Sequence, residues 1–174
     1  MNRRFVAASL LFVGAATLVA GSALAQRPAS AKVRGDAYYF YAGEVYRGHA
    51  ADHAFMLNEY ASTGEPVPKE VVQEHAAAVR SNIEASRRAY QKVSAAAKKD
   101  PAAAAKLKEI EKAHASALAL CDKLDAESAK SAGEAAKIGA ACGGIMEQLD
   151  GADEVHKKLA AQLKIATLDQ EGGK

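Results

Sequence analysis

Imidazole, thiol and thioether side chains recur at helical spacing along this chain. Five histidines, two cysteines and two methionines all lie between His49 and His156. Nitrogen and sulfur donors of this kind bind copper and zinc, whereas magnesium and calcium prefer oxygen ligands. The residue types therefore point to transition-metal binding.

The spacing of these donors predicts which of them share a site. A helix rises about 1.5 Å per residue, so residues equally far from a helical hairpin vertex lie at similar heights. Two histidines and two cysteines at one height would complete a tetrahedral zinc site, and a nearby methionine shifts the balance toward copper. The predicted primary ligands are His53, His75, Cys121 and Cys142. The predicted secondary ligands are His49, Met56, His114 and Met146.

The two cysteines also allow an interpretation without metal. Cys121 and Cys142 are symmetric about a hairpin vertex, and a disulfide between them would close a loop of about 21 residues and stabilise the fold by roughly 3 kcal/mol. The histidines would then be core residues that hydrogen-bond to polar neighbours. Such a protein would be a non-catalytic interaction or stress protein of the cell envelope, which binds an envelope partner through its outer helix faces.

Heme binding and enzyme catalysis are two further functional classes. The absence of a Cys-x-x-Cys-His sequence excludes covalent c-type heme, but a non-covalent heme with His53 and Met146 as axial ligands is a third hypothesis. The sequence contains no Ser-His-Asp arrangement, phosphate-binding glycine loop or nucleotide motif. We therefore predict that the protein is not an enzyme.

The elements that position these donors are predicted to be helices. After residue 35 the chain is rich in Ala, Glu, Lys, Gln and Leu, which favour helix. Gly64 suits a helix C-terminus, Asp100 and Pro101 suit a helix start, and Ser131 has capping-box spacing with Glu134. These breaks predict helices over 36–63, 67–98, 101–128 and 132–167.

Each predicted helix carries a seam of apolar residues alternately three and four positions apart. The seam of the first helix is Tyr46, His49, His53, Met56 and Tyr60. The other seams include Val72 and Val79, Ile110 and Cys121, and Cys142 and Leu149. Short connections between four such helices predict an all-α fold, an antiparallel up-down-up-down four-helix bundle over 36–168.

The N-terminus has the parts of a secretory signal peptide. Arg3 and Arg4 precede an apolar run from Phe5 to Ala20, and a small-residue cleavage signal ends at Ala25. The apolar run is short for a membrane span, so no stable span is expected after cleavage. The sequence predicts a signal peptide over 1–25, a flexible leader over 26–35 and a disordered tail over 169–174. The location is then periplasmic or secreted.

The charge balance limits the partners. The chain has 23 basic and 21 acidic residues, and removal of Arg3 and Arg4 with the signal peptide leaves 21 of each. A neutral mature chain argues against nucleic acid and anionic membranes as binding partners, because binding to either needs a concentrated basic surface on the protein. The partners that remain predicted are a metal ion and an envelope protein.

Overall fold

The computed structural model describes residues 31–93 and 95–165, and this part of the chain is almost entirely helical. The all-α class predicted from the sequence is confirmed. No described helix is long and apolar enough to cross a membrane. The elements, in chain order, are α1 (Ala31–Ser62), β1 (Val67–Pro68), α2 (Lys69–Gln91), α3 (Ala95–Lys99), α4 (Pro101–Ser128), β2 (Ala132–Gly133) and α5 (Ala135–Leu163).

The terminal segments predicted from the sequence lie only partly within the described residues. The signal peptide 1–25 and the tail 169–174 lie outside the described residues, as does the first half of the leader 26–35. The second half of that leader already belongs to α1, which begins at Ala31 instead of residue 36.

Two of the predicted helix ends are confirmed. Gly64 follows α1 with a φ of +78°, in the left-handed region that glycine adopts without strain. The Asp100 carboxylate accepts hydrogen bonds from the backbone amides of Ala102 and Ala103, and Pro101 begins α4. Both signals act through local backbone chemistry, which explains why the sequence reveals them.

A short antiparallel pairing joins two of the connections, and the sequence did not predict it. Val67 of β1 pairs with Gly133 of β2, and the neighbouring residues pair as well. Two residues are too few for an alternating strand pattern to be recognised. The pairing joins the α1–α2 connection to the α4–α5 connection. It also moves the N-cap of α5 to Glu134, so the predicted cap at Ser131 is wrong.

The second predicted helix, 67–98, is divided in the structure. α2 ends at Gln91, and the amides of Lys92 and Val93 donate to carbonyls three residues back, which tightens the last turn. The turn brings Val93, only 2 % exposed, into the core. α3 follows as a separate short helix.

Each of the four long helices packs against two others, α1 and α4 both against α2 and α5. Their buried residues form two apolar clusters. Cluster A includes Leu57, Val79, Ile83, Leu124 and Ile145. Cluster B includes Phe40, Tyr90, Ile110, Leu159 and Ile165. In α2, α4 and α5 most of the buried residues are those of the predicted seams, but the predicted seam residues His75 and Asn82 of α2 are only half-buried.

The predicted seam of α1 is wrong, because it lies on the outside. Tyr46, Met56 and Tyr60 are 40 %, 44 % and 52 % exposed, His49 is exposed and His53 is half-buried. The buried side of α1 is a different seam that consists mostly of small and charged residues. Its members include Phe40, Glu44, Arg47, Ala50, Ala54, Leu57 and Ala61.

Gly43 lies on this buried side at a close approach of α1 to α2. A Cβ atom at this position would lie 2.8 Å from the ring of Tyr90. The Gly43 carbonyl also accepts a 2.8 Å hydrogen bond from the hydroxyl of Ser86 in α2. The position therefore needs a residue without a side chain.

We expect Gly43→Ala to destabilise the fold by about 1–3 kcal/mol, because the added methyl group overpacks the contact with Tyr90. Gly48→Ala is the matched control, since no atom lies within 4 Å of a Cβ at this exposed position of the same helix. This control is expected to stabilise by roughly 0.5–1 kcal/mol through helix propensity. Urea unfolding of the two variants measures both effects. Equal effects would contradict the close approach at Gly43.

Candidate functional site

A layer of buried polar side chains separates the two apolar clusters. In α1, α2 and α4, polar residues occupy the buried positions between the residues of one cluster and those of the other, and in α5 His156 lies between Ala152 and Leu159 of cluster B. They are Glu44 and Arg47 in α1, Ser86 in α2, His114 in α4 and His156 in α5. A buried polar group without a hydrogen bond costs about 1–3 kcal/mol, so this layer requires partners from neighbouring helices.

Hydrogen bonds cross this layer from Arg47 through Tyr90 to His156. The Arg47 Nη1 donates to the Tyr90 hydroxyl oxygen at 2.8 Å, and this oxygen lies 2.8 Å from Nδ1 of His156. A guanidinium only donates, so the Tyr90 hydroxyl oxygen accepts from Arg47. Nε2 of His156 lies 3.5 Å from Oε2 of Glu44.

The same arginine forms an ion pair with Asp153 of α5. Burial raises the pKa of Tyr90 to about 12, although the neighbouring Arg47 lowers it. Tyr90 is therefore a neutral hydrogen-bonding bridge at physiological pH. The network connects α1, α2 and α5 and indicates a structural role for these residues.

His114 is fully buried in a different environment. The Ser86 hydroxyl donates to the Gly43 carbonyl, so the Ser86 oxygen accepts from Nε2 of His114, 3.3 Å away. Nδ1 of His114 has no hydrogen-bond partner among the described residues. Burial, with a smaller contribution from Arg47, lowers the pKa of His114 to about 4. The imidazole is therefore neutral at neutral pH.

His53 of α1 and His75 of α2 meet at the surface. Their Nδ1 atoms are 3.3 Å apart, their ring centroids are 5.4 Å apart, and both residues are half-buried. Met56 and Tyr60 line, together with His75, a surface depression of about 490 Å³. The structure thus brings together two of the predicted primary ligands, and one secondary ligand, Met56, lines the same depression as His75.

The Nδ1–Nδ1 distance suits a pair that shares a proton or a metal ion. Two bare imidazole nitrogens repel each other, so one must carry a proton or both must face a cation. Two nitrogens bound 2.0–2.1 Å from one ion at the tetrahedral angle are about 3.3–3.4 Å apart. Burial, followed by the nearby His53, lowers the pKa of His75, which favours the neutral imidazole that metals bind.

The two cysteines belong to cluster A. Both are fully buried free thiols. Burial raises the pKa of Cys121 to about 11, and burial together with the nearby Cys121 raises the pKa of Cys142 to about 12. Both thiols therefore stay protonated at neutral pH, whereas metal ligation needs the thiolate. The Cys121–Cys142 disulfide stays a prediction.

The structure does not gather the remaining predicted ligands at the histidine pair. The described residues contain no group of three or more His, Cys, Asp or Glu side chains placed to hold one metal ion. His49 is exposed, and Met146 packs half-buried against cluster A. The heme hypothesis, with His53 and Met146 as axial ligands, stays a prediction.

Sequence reasoning missed Glu44, Arg47 and Tyr90. A signal was available in α1, because Arg47 has the same three-and-four spacing as the buried residues Phe40 and Ala50. A charged residue at a position of this kind indicates a buried ion pair rather than a solvated face.

No protein-family model, functionally described protein or solved structure matches the chain.

We expect His114 to make the protein less stable in acid. Its pKa is about 4 in the folded state and 6.5 in the unfolded chain, so between these values only the unfolded chain binds the proton. The contribution of His114 to stability is intact above pH 6.5 and falls by about 3 kcal/mol as the pH drops to 4.

His114→Gln tests this expectation, since glutamine keeps a donor for Ser86 but does not titrate. Urea unfolding at neutral pH and at a pH near 4.5 compares the two proteins. The variant should lose less stability on acidification than the wild type. An equal loss in both proteins would contradict the assignment to His114.

Proposed function

We propose that the protein binds a transition metal ion, copper or zinc, at its surface through His53 and His75, and that it stores, buffers or passes this metal. The observation that carries the proposal is the 3.3 Å distance between the two Nδ1 atoms, which is the ligand–ligand distance of a tetrahedral site. Met56 lines the same depression as His75 and adds a thioether, a soft donor suited to copper.

The proposal includes an antiparallel up-down-up-down bundle of α1, α2, α4 and α5. The helix contacts and the pairing of β1 with β2 support this arrangement. In such a bundle His53 and His75 lie at equal distances from the connection at Gly64, on two neighbouring helices. Ligands held by helices keep their spacing better than ligands on loops, which favours a preformed site.

The ligand number favours exchange of the metal. Structural zinc sites have four protein ligands, whereas sites with open positions bind water or a ligand from another molecule. A pair of histidines leaves such positions open. Buffering or transfer of metal therefore fits this geometry better than a permanent structural ion. Export by the predicted signal peptide 1–25 would place this activity in the periplasm or outside the cell.

A second candidate is a non-catalytic interaction protein of the cell envelope. The observation that favours it is the position of the exposed large hydrophobic side chains, which among the described residues all lie on α1. They are Tyr38, Tyr41, Tyr46, Phe55, Met56 and Tyr60. Exposed apolar residues on one face are typical of interaction sites. A closed Cys121–Cys142 disulfide without bound metal, in protein purified without reductant, would support this candidate over the first.

We expect Zn²⁺ to bind the protein purified from its own compartment and stripped of metal, and to raise its melting temperature, because the ion binds only the folded site. His53→Ala and His75→Ala should each weaken Zn²⁺ binding strongly. Loss of an outer-shell partner of a metal ligand already weakens binding ~10–100-fold, and loss of the ligand itself should weaken it more. Titration calorimetry measures the affinity, and a parallel titration with Cu²⁺ compares the two metals.

Two controls make the result specific. Tyr38→Ala removes an exposed aromatic residue of α1 far from the histidine pair and should leave the affinity unchanged. The double variant Cys121→Ala with Cys142→Ala should also bind normally. Metal binding that survives both histidine changes and disappears with the cysteines would move the site into the core and overturn the proposal.

A further inference from the structure

The outer side of α1 carries five residues with heptad spacing, which we call the α1 stripe. They are Tyr46, His49, His53, Met56 and Tyr60, alternately three and four positions apart. This spacing is typical of a helix that packs along another helix. Within residues 31–93 and 95–165 four of the five stripe residues are exposed and His53 is half-buried, because the opposite side of α1 provides the buried residues.

We propose that the α1 stripe packs against the same stripe of a second copy of this chain, and that one metal ion at the centre is bound by His53 and His75 from both copies. The inference rests on the proposed function, since it uses the same histidine pair. It adds the partner that completes the site.

The ligand number argues for a second copy. Zinc held only by protein is almost always four-coordinate and tetrahedral, and the histidine pair supplies two of the four ligands. Two copies related by a two-fold axis through the ion supply four imidazoles. Within each copy the Nδ1 atoms of His53 and His75 already have the spacing of one tetrahedral edge, 3.3 Å.

The order of residues in the stripe fits this symmetry. A two-fold interface uses the same surface on both copies, so two antiparallel α1 helices pair residues at equal distances on either side of the axis. His53 is the middle residue of the five. An axis at this point sets Tyr46 opposite Tyr60 of the second copy, each seven residues from His53, and brings His49 and Met56, four and three residues from His53, near each other.

The size of the stripe predicts that the dimer needs the metal. A stable protein interface has about 20–30 residues on each side, far more than the five residues of the stripe. Apolar contacts of Met56 and Tyr60 alone are then too few to hold two copies together. The metal bonds provide the remaining stabilisation, so the copies should separate when a chelator removes the ion.

Sedimentation velocity with increasing Zn²⁺, combined with calorimetric stoichiometry, tests the inference on the purified protein. We expect a monomer without metal and a dimer with one Zn²⁺ per two chains. Tyr46→Lys puts a positive charge in the interface opposite Tyr60 of the second copy and should abolish the dimer while His53 and His75 still bind Zn²⁺. Tyr41→Lys is the matched control, with the same added charge on an equally exposed residue of α1 outside the stripe.

The outcomes separate this inference from the proposed function. A dimer with half-stoichiometric Zn²⁺ that is lost in the stripe variant and kept in the control supports both. A monomer that binds one Zn²⁺ per chain overturns the dimer and leaves the metal site standing. Failure to bind Zn²⁺ overturns both, and a dimer that persists in His53→Ala without metal overturns the metal link.

Discussion

A guanidinium removed from water must keep its hydrogen bonds, and the orientation of α1 follows from how Arg47 keeps them. Arg47 is 4 % exposed, and its partners are Tyr90 in α2 and Asp153 in α5. Loss of one partner of a buried charge costs about 3–5 kcal/mol, so these contacts fix the rotation and the height of α1 against two helices. Once this side faces inward, the side that carries His53 must face outward.

The parts of the fold that could be predicted depend on local chemistry or on plain apolar periodicity. The cap at Asp100 and the end of α1 at Gly64 arise from residues within a few positions of each other. The seams of α2, α4 and α5 are rich in Val, Ile and Leu, so their period is visible. The meeting of His53 and His75 also follows from the sequence, because both are eleven residues from Gly64 along the chain.

The parts that could not be predicted depend on partners distant in sequence. Periodicity selects the α1 stripe because its residues are large and apolar, whereas the true buried seam carries Glu44, Arg47 and several alanines. Tyr90 and Asp153 make the Arg47 position suitable for burial, and His156 faces Glu44, and all three lie far along the chain. The height of a residue along its helix likewise does not tell whether its side chain faces the core or the surface of the protein. Cys121 thus lies in the core, while His53 is at the surface.

The two buried thiols have a consequence for how motions of this protein can be followed. Alkylating reagents react with thiolate, and the pKa values near 11 and 12 leave almost none at neutral pH in the closed core. Cys121 and Cys142 react only when the core around them opens. The rate of their modification therefore measures how often that part of the protein opens. Local unfolding of the core can thus be followed through the native cysteines, without an added label.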